Sequence, residues 1–151
     1  MSLRAPDVLY FEDLEEGAVY WGAECLVDRA EMIDYAQKND PLPMHIDEQA
    51  ATTSPYGALI ASGGFTISLW YRSTTPIARK LATLGGLEWH FKLPRPVRAG
   101  DRLRTKFTVA TKRLSSKAGR GVVTTTQELL NEQGEPVLIC EGVILVATRP
   151  R

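Results

Sequence analysis

An aspartate and a histidine five residues apart, Asp40 and His45, stand among prolines in the run Asn39-Asp40-Pro41-Leu42-Pro43-Met44-His45. A carboxylate and an imidazole on one irregular segment can share a proton-transfer task, because loops held by a rigid scaffold are where such groups are presented to substrate. The same two residue types also serve as a helix cap and an ordinary surface side chain, and the spacing alone does not choose between these uses. Eighteen residues after His45, Ser62-Gly63-Gly64 opens an apolar stretch. A helix starting there offers unsatisfied backbone N–H groups and the positive end of its dipole. Without a Cβ at Gly63, a carbonyl oxygen can reach those amides, which is the arrangement of an oxyanion hole. Close packing of glycine against a neighbouring sheet is the other reason to place it there.

The remaining reactive residues are few. The second histidine, His90, alternates with apolar residues beside Glu88 and Lys92, so it belongs to a surface or an interface. Cys25 and Cys140 are far apart and form no paired motif, which points to buried reduced thiols rather than a disulfide or zinc site. Asp40, His45, Asp47 and Glu48 could supply metal ligands, but nothing in their spacing forces them to converge. Asp47 is sufficiently explained as a helix cap, and no metal is expected.

Several elements must position these groups. Residues from about Ala18 to Val27 alternate as a strand, with Val19, Trp21, Ala23, Cys25 and Val27 on one face. Asp28, with Glu31 three residues on, predicts the start of a short helix whose apolar side is Met32, Ile33, Tyr35 and Ala36. Pro41 and Pro43 stop it. A loop to His45 is expected, then a second short helix capped by Asp47 and running to about Thr53, then a turn at Ser54-Pro55-Tyr56-Gly57. Ser62 is a suitable N-cap for the helix beginning at Gly63. Phe65, Ile67, Leu69, Trp70 and Tyr71 cover most of its circumference, so it is expected to be buried.

The second half alternates as strands. Leu87, Trp89, Phe91 and Leu93 share one face, as do Leu103, Thr105, Phe107 and Val109. Ser115–Gly119 and Asn131–Gly134 read as hairpin turns, and the strand from Val137 to about Thr148 is apolar on both faces and therefore interior. The expected order is one strand, short helices, one buried helix and a four-stranded meander. The resulting α+β domain is a curved antiparallel five-stranded sheet wrapped around a central helix, spanning residues 1–151 as one unit.

Composition narrows the partners. Eighteen Lys and Arg balance eighteen Asp and Glu. That balance argues against nucleic acid or an anionic membrane surface, which favour a basic excess. The N-terminus has no long apolar run, so neither a signal peptide nor a membrane span is expected there, and the cytoplasm is the default location.

The stretch from Asn39 to Asp47 resembles the hydratase motif D-x-N-P-x-H of MaoC-like dehydratases and R-specific enoyl-CoA hydratases, a family of hot-dog fold. Asp40, Pro43 and His45 match it, and Asp47 fits the usual H-x-D. Leu59 to Phe65 is similar to the family's entry into the central helix. Phe91 to Leu103 is similar to its proline–valine–glycine–aspartate connector, and Tyr10 to Gly17 to its N-terminal segment. Leu42 stands where the family has Asn, and Ser62 where it usually has His.

The resemblance implies a hydratase or dehydratase adding water reversibly to a trans-2-enoyl thioester. Asp40, His45 and Gly63 would be catalytic, and Ser62, Gly64 and Pro43 would contact substrate. It implies no metal or organic cofactor, with coenzyme A or acyl carrier protein as the thioester carrier, and a homodimer or higher homo-oligomer. Some of Arg95, Arg98, Lys112, Arg113, Lys117 and Arg120 could meet coenzyme A phosphates, a solvated basic surface being the favoured reading for any single one of them. Two other outcomes stay open: a hot-dog thioesterase directing water at the thioester carbonyl, and a non-catalytic acyl-thioester binding module.

Overall fold

The computed structural model describes residues 7–151; residues 1–6, and with them the start of the N-terminal reading, lie outside the described residues. Five strands, β1 (Val19–Leu26), β2 (Thr83–Lys92), β3 (Arg102–Leu114), β4 (Arg120–Leu130) and β5 (Pro136–Ala147), form one antiparallel sheet. Three short helices, α1 (Arg29–Asn39), α2 (Pro43–Ile46) and α3 (Glu48–Thr52), and one long helix, α4 (Gly63–Lys80), lie between β1 and β2. The sheet curves around α4 in the hot-dog arrangement.

Strand order is β1-β3-β4-β5-β2, which corrects the expected four-stranded meander. β2 pairs with β5, not β3: Trp89 lies opposite Gly142 and Lys92 opposite Ile139. The cause is the connector after β2. Pro94 and Pro96 prevent a tight hairpin there, and the chain crosses to the other side of the sheet, where β3 lies beside the edge strand β1. It is held on the way by Ala61 N–H to Val97 O (2.8 Å), Gly100 N–H to Val27 O (2.9 Å) and Val27 N–H to Asp101 O (2.8 Å). This crossing lays the connector beside the start of α4. β5 is interior, as its two apolar faces require.

β1 also departs from expectation. Its pairing slips between Trp21 and Glu24, so the strand changes face partway. Cys25 and Val27 point inward as expected, whereas Val19, Trp21 and Ala23 are exposed. The slip occurs where α4 presses on the strand. A Cβ on Gly22 would stand 2.3 Å from the Ser73 carbonyl oxygen, and Ser73 Oγ donates to Ala23 O at 2.7 Å.

α4 carries the core. Phe65, Leu69, Trp70 and Ile77 are buried against Leu103, Phe107, Val123, Leu129, Leu138, Ile144 and Val146 of the sheet. The helix runs on past Tyr71 to Lys80, through Pro76. It is less enclosed than its composition suggests, because Tyr71 and Arg72 face outward. Both cysteines are free and buried. Burial pushes the Cys140 thiol up to about 12 and the Cys25 thiol in the same direction. Neither thiol is therefore a nucleophile at neutral pH. Among the described residues no helix is long and apolar enough to cross a membrane.

Candidate active site

Asp28 begins the local construction. Its carboxylate accepts from the Glu31 amide at 2.9 Å and starts α1, which buries Met32 and Ala36. Asp40 is the C-cap of α1, where Pro41 ends it. The segment expected as a loop to His45 is instead the one-turn helix α2. Pro43 starts it, since a first-turn proline has no amide to leave unsatisfied. Asp47 then caps α3, accepting from Gln49 and Ala50 at 3.0 and 3.2 Å. Two caps and two prolines thus fix the chain on both sides of Asp40 and His45.

His45 is held from behind. Its side chain is 6 % exposed, and Nδ1 lies 2.9 Å from the Ile60 carbonyl oxygen. A carbonyl only accepts, so Nδ1 carries the proton and Nε2 of the neutral ring is bare. Nε2 faces Asp40 Oδ2 at 3.4 Å, and the Asp40 side chain is 38 % exposed. That separation is longer than an ordinary hydrogen bond. It brings a base and a carboxylate oxygen within reach of one water molecule.

Leu42, standing where the family has Asn, is 47 % exposed and holds this segment through its backbone. Its amide donates to Asp40 O at 2.8 Å, and its carbonyl accepts from the His45 amide at 2.9 Å.

The opposite wall is the first turn of α4. Ser62 occupies the N-cap position but makes no side-chain cap, contrary to expectation; its carbonyl accepts from the Thr66 amide at 3.1 Å. The amide of Gly63, the first residue of the helix, has no intrahelical acceptor and stays available to one in the cleft. A Cβ on Gly63 would meet only the tip of Leu93, at 2.9 Å, which is a mobile neighbour. Space for an incoming group is thus the stronger reason for glycine here. At Gly64 a Cβ would land 2.2 Å from the Tyr35 hydroxyl, so glycine there is required by packing.

His45 and Gly63 line one cleft of about 260 Å³, together with Met44, Tyr56, Ile60, Ala61, Thr66 and the connector from Leu93 to Val97. Asp40 reaches it through the His45 ring. Ser62, Gly64 and Pro43 do not line it: the first is buried, the second lies under Tyr35 and the third builds α2.

Of the candidate phosphate ligands, Arg95 lines the cleft and pairs with Glu135 at 3.1 Å, and Arg98 donates to Tyr56 O at 2.9 Å nearby. Lys112 is engaged with Phe11, while Lys117 and Arg120 sit on the hairpin at the other end of the sheet. A larger depression of about 610 Å³ on the sheet's outer face is bordered by Glu88, His90 and Glu141. Among the described residues no ion pair joins those groups, and no three His, Cys, Asp or Glu side chains converge as metal ligands.

Sequence reasoning missed the Ile60 carbonyl that orients His45, and Thr66, which lines the cleft. The Ile60 contact is a backbone one and has no residue signature. Thr66 is one turn after Gly63 and could have been found by helical spacing.

The chain is 30 % identical over 121 residues to the UPF0336 protein of Streptomyces avermitilis, an alignment covering 74 % of this chain and 78 % of the other. It is 32 % identical to the solved structure of a MaoC-like dehydratase from Rhodospirillum rubrum, with a TM-score of 0.84 over 95 % of this chain and 99 % of that one. An R-hydratase from Pseudomonas aeruginosa, 24 % identical, shares the fold with a TM-score of 0.70 over 93 % of this chain and 86 % of that one. Residues 15–132 match the MaoC like domain, and the chain therefore belongs to the MaoC-like domain family.

Proposed function

We propose that the protein is a hydratase/dehydratase of acyl thioesters that adds water reversibly to a trans-2-enoyl-CoA, giving a 3-hydroxyacyl-CoA. The observation that carries this reading is that His45, with Asp40 Oδ2 3.4 Å from its Nε2, lines one cleft together with Gly63 at the start of α4. Family membership, and likeness to a dehydratase over nearly the whole chain, support the same class.

The thioester oxygen lies against the Gly63 amide, and Asp40 and His45 hold one water near C3. As the water oxygen bonds to C3, His45 Nε2 takes its proton and the double-bond electrons move toward the thioester oxygen. The Gly63 N–H and the positive helix end stabilise the charge that develops there. The proton taken by His45 Nε2 is then delivered to C2, which restores the neutral ring and completes the addition, and the reverse sequence dehydrates the 3-hydroxyacyl thioester. No step calls for a metal or organic cofactor. The reading places the protein in the cytoplasm, with Arg95 and Arg98 at the carrier end of the cleft.

Wild-type protein should remove the enoyl absorbance of a trans-2-enoyl-CoA without releasing thiol. Thiol release with no hydration would identify a thioesterase. Binding with no turnover would identify a binding module.

The assembly we propose is a homodimer. Among the described residues β2 has no strand beyond it, and its Leu84 and Leu87 are 50 % and 53 % exposed. An open apolar edge of this kind is covered most simply by a second copy of itself. Sedimentation at the mass of two chains is the expected result, and the mass of one chain would refute it.

A further inference from the structure

We propose that the end of the sheet opposite the cleft carries a second binding site, which takes the phosphoryl group of a small phosphorylated ligand and uses Arg120 and Lys117 as its cations.

The charge for such a site is unevenly placed in the sequence. Acids and bases balance over the whole chain, yet seven Lys and Arg and no acid lie between Asp101 and Glu128. Three of the seven are engaged by the fold. Arg102 pairs with Glu24 at 2.9 Å, Arg104 donates to Gly22 O at 2.9 Å, and Lys112 Nζ donates to Phe11 O at 3.1 Å. The other four are Lys106, Arg113, Lys117 and Arg120, and among the described residues none of them forms an ion pair.

The β3–β4 hairpin brings Lys117 and Arg120 to one depression of about 700 Å³, which Leu114, Gly119, Glu12 and Arg149 also line. Both of its walls are held. On the hairpin side, Ser115 N–H donates to Arg120 O at 3.1 Å, Lys117 N–H to Ser115 Oγ at 3.1 Å, and Thr148 N–H to Gly119 O at 3.0 Å. On the other side, the Arg149 amide donates to both Glu12 carboxylate oxygens at 3.2 and 2.9 Å, and its guanidinium donates to Asp13. The acids on this wall are thus taken by Arg149 and leave Lys117 and Arg120 without a counter-charge.

Arg120 differs from a free surface arginine. Its side chain is half-buried, and Nε is sealed from solvent with no acceptor among the described residues. The packed stem holds the guanidinium in place. A charge drawn partly out of water with no partner is costly, and a bound anion offsets that cost. A phosphoryl group suits the pair, because it offers the planar guanidinium two oxygens at once and leaves a third for the ammonium. The volume lies in the range of small-ligand sites.

The depression is remote from the cleft. Arg120 lies opposite Ala147, and Val146 opposite Thr83 at the start of β2, whereas the cleft is at the far end of β2, beside Leu93. The proposal is therefore independent of the hydratase reading.

The test is isothermal titration of the intact protein with ADP and with inorganic phosphate at about 0.15 M salt. Saturable binding is expected. Arg120→Met and Lys117→Met should each weaken it by about 10-fold or more, the usual loss when one charge-assisted contact is removed. Lys117 is exposed on the hairpin, so its variant is available if Arg120→Met does not fold. Arg95→Met, at the cleft, should leave the binding unchanged. Dependence of both probes on Arg120 and Lys117 supports the phosphoryl assignment, and the tighter probe tells a nucleotide from the free ion. No saturable binding of either probe up to about 5 mM overturns the proposal. ADP binding that Arg95→Met abolishes and both hairpin variants leave unmoved overturns it as well, and neither result touches the hydratase reading.

Discussion

Replacing Asp40 with Asn should lower kcat for enoyl-thioester hydration by about 100-fold or more while the fold is retained, because in the proposed mechanism Asp40 helps hold the water that His45 deprotonates, and acid–base assistance of this kind contributes about 100- to 10,000-fold. The substitution is nearly isosteric and falls on a half-exposed C-cap side chain whose backbone, not its carboxylate, ends α1. The neutral amide presents no carboxylate to the water or to Nε2 of His45. Hydrogen bonding to the substrate is unaffected, so the loss should appear in kcat more than in KM. The measurement is steady-state hydration of a short trans-2-enoyl-CoA beside a thermal melt. A variant that keeps both its melting temperature and its turnover would remove Asp40 from the chemistry and leave His45 to act alone.

Truncating Trp70 to Ala should destabilise the fold by about 3–5 kcal/mol, the usual cost of deleting a large buried aromatic and leaving a cavity. In a chain of this length that corresponds to a melting temperature lower by about 6–20 °C. The indole is 1 % exposed, contacts Trp89, Phe91 and Tyr71, and donates its only N–H within the core. Gln127 keeps the Thr74 hydroxyl as a donor when the indole is gone, so the loss is mainly one of packing. Denaturant melts of both proteins report it directly. A change below about 1 kcal/mol would mean that the neighbouring rings collapse into the space.

The elements most legible in the sequence were those set by local rules. The Leu103-Thr105-Phe107-Val109 face is buried throughout, Asp28 and Asp47 cap the helices they precede, and both hairpin turns place glycine at positive φ, Gly119 and Gly134. What escaped depended on distant partners. The face change in β1 follows from α4 leaning on Gly22, fifty-one residues away from Ser73 in the chain, and leaves no local trace. Alternation along β2 gave its inward residues but not its neighbour, because a period-two pattern carries no pairing information. For the candidate site, residue types offered Asp40, His45 and Gly63 as possibilities, and only the family resemblance singled them out. The tautomer of His45 became visible only with the Ile60 carbonyl in place. Ser62 shows the limit of residue preference: the type suits a cap, yet its hydroxyl does not make one.

Strand order has a consequence for biosynthesis. β5 is the last of the five strands in sequence yet lies inside the sheet, and among the described residues it is the only strand partner of β2. During N-to-C synthesis, residues 83–92 leave the ribosome with no strand to receive them until residues 136–147 follow. Trp89 and Phe91 ride on that waiting strand, so the aromatic face of α4 is also incomplete until then. Pairing across such a separation is intrinsically slow and leaves an apolar surface open in the meantime. A nascent chain halted before β5 therefore lacks an interior strand rather than an edge, and presents the quality-control machinery with an opened core.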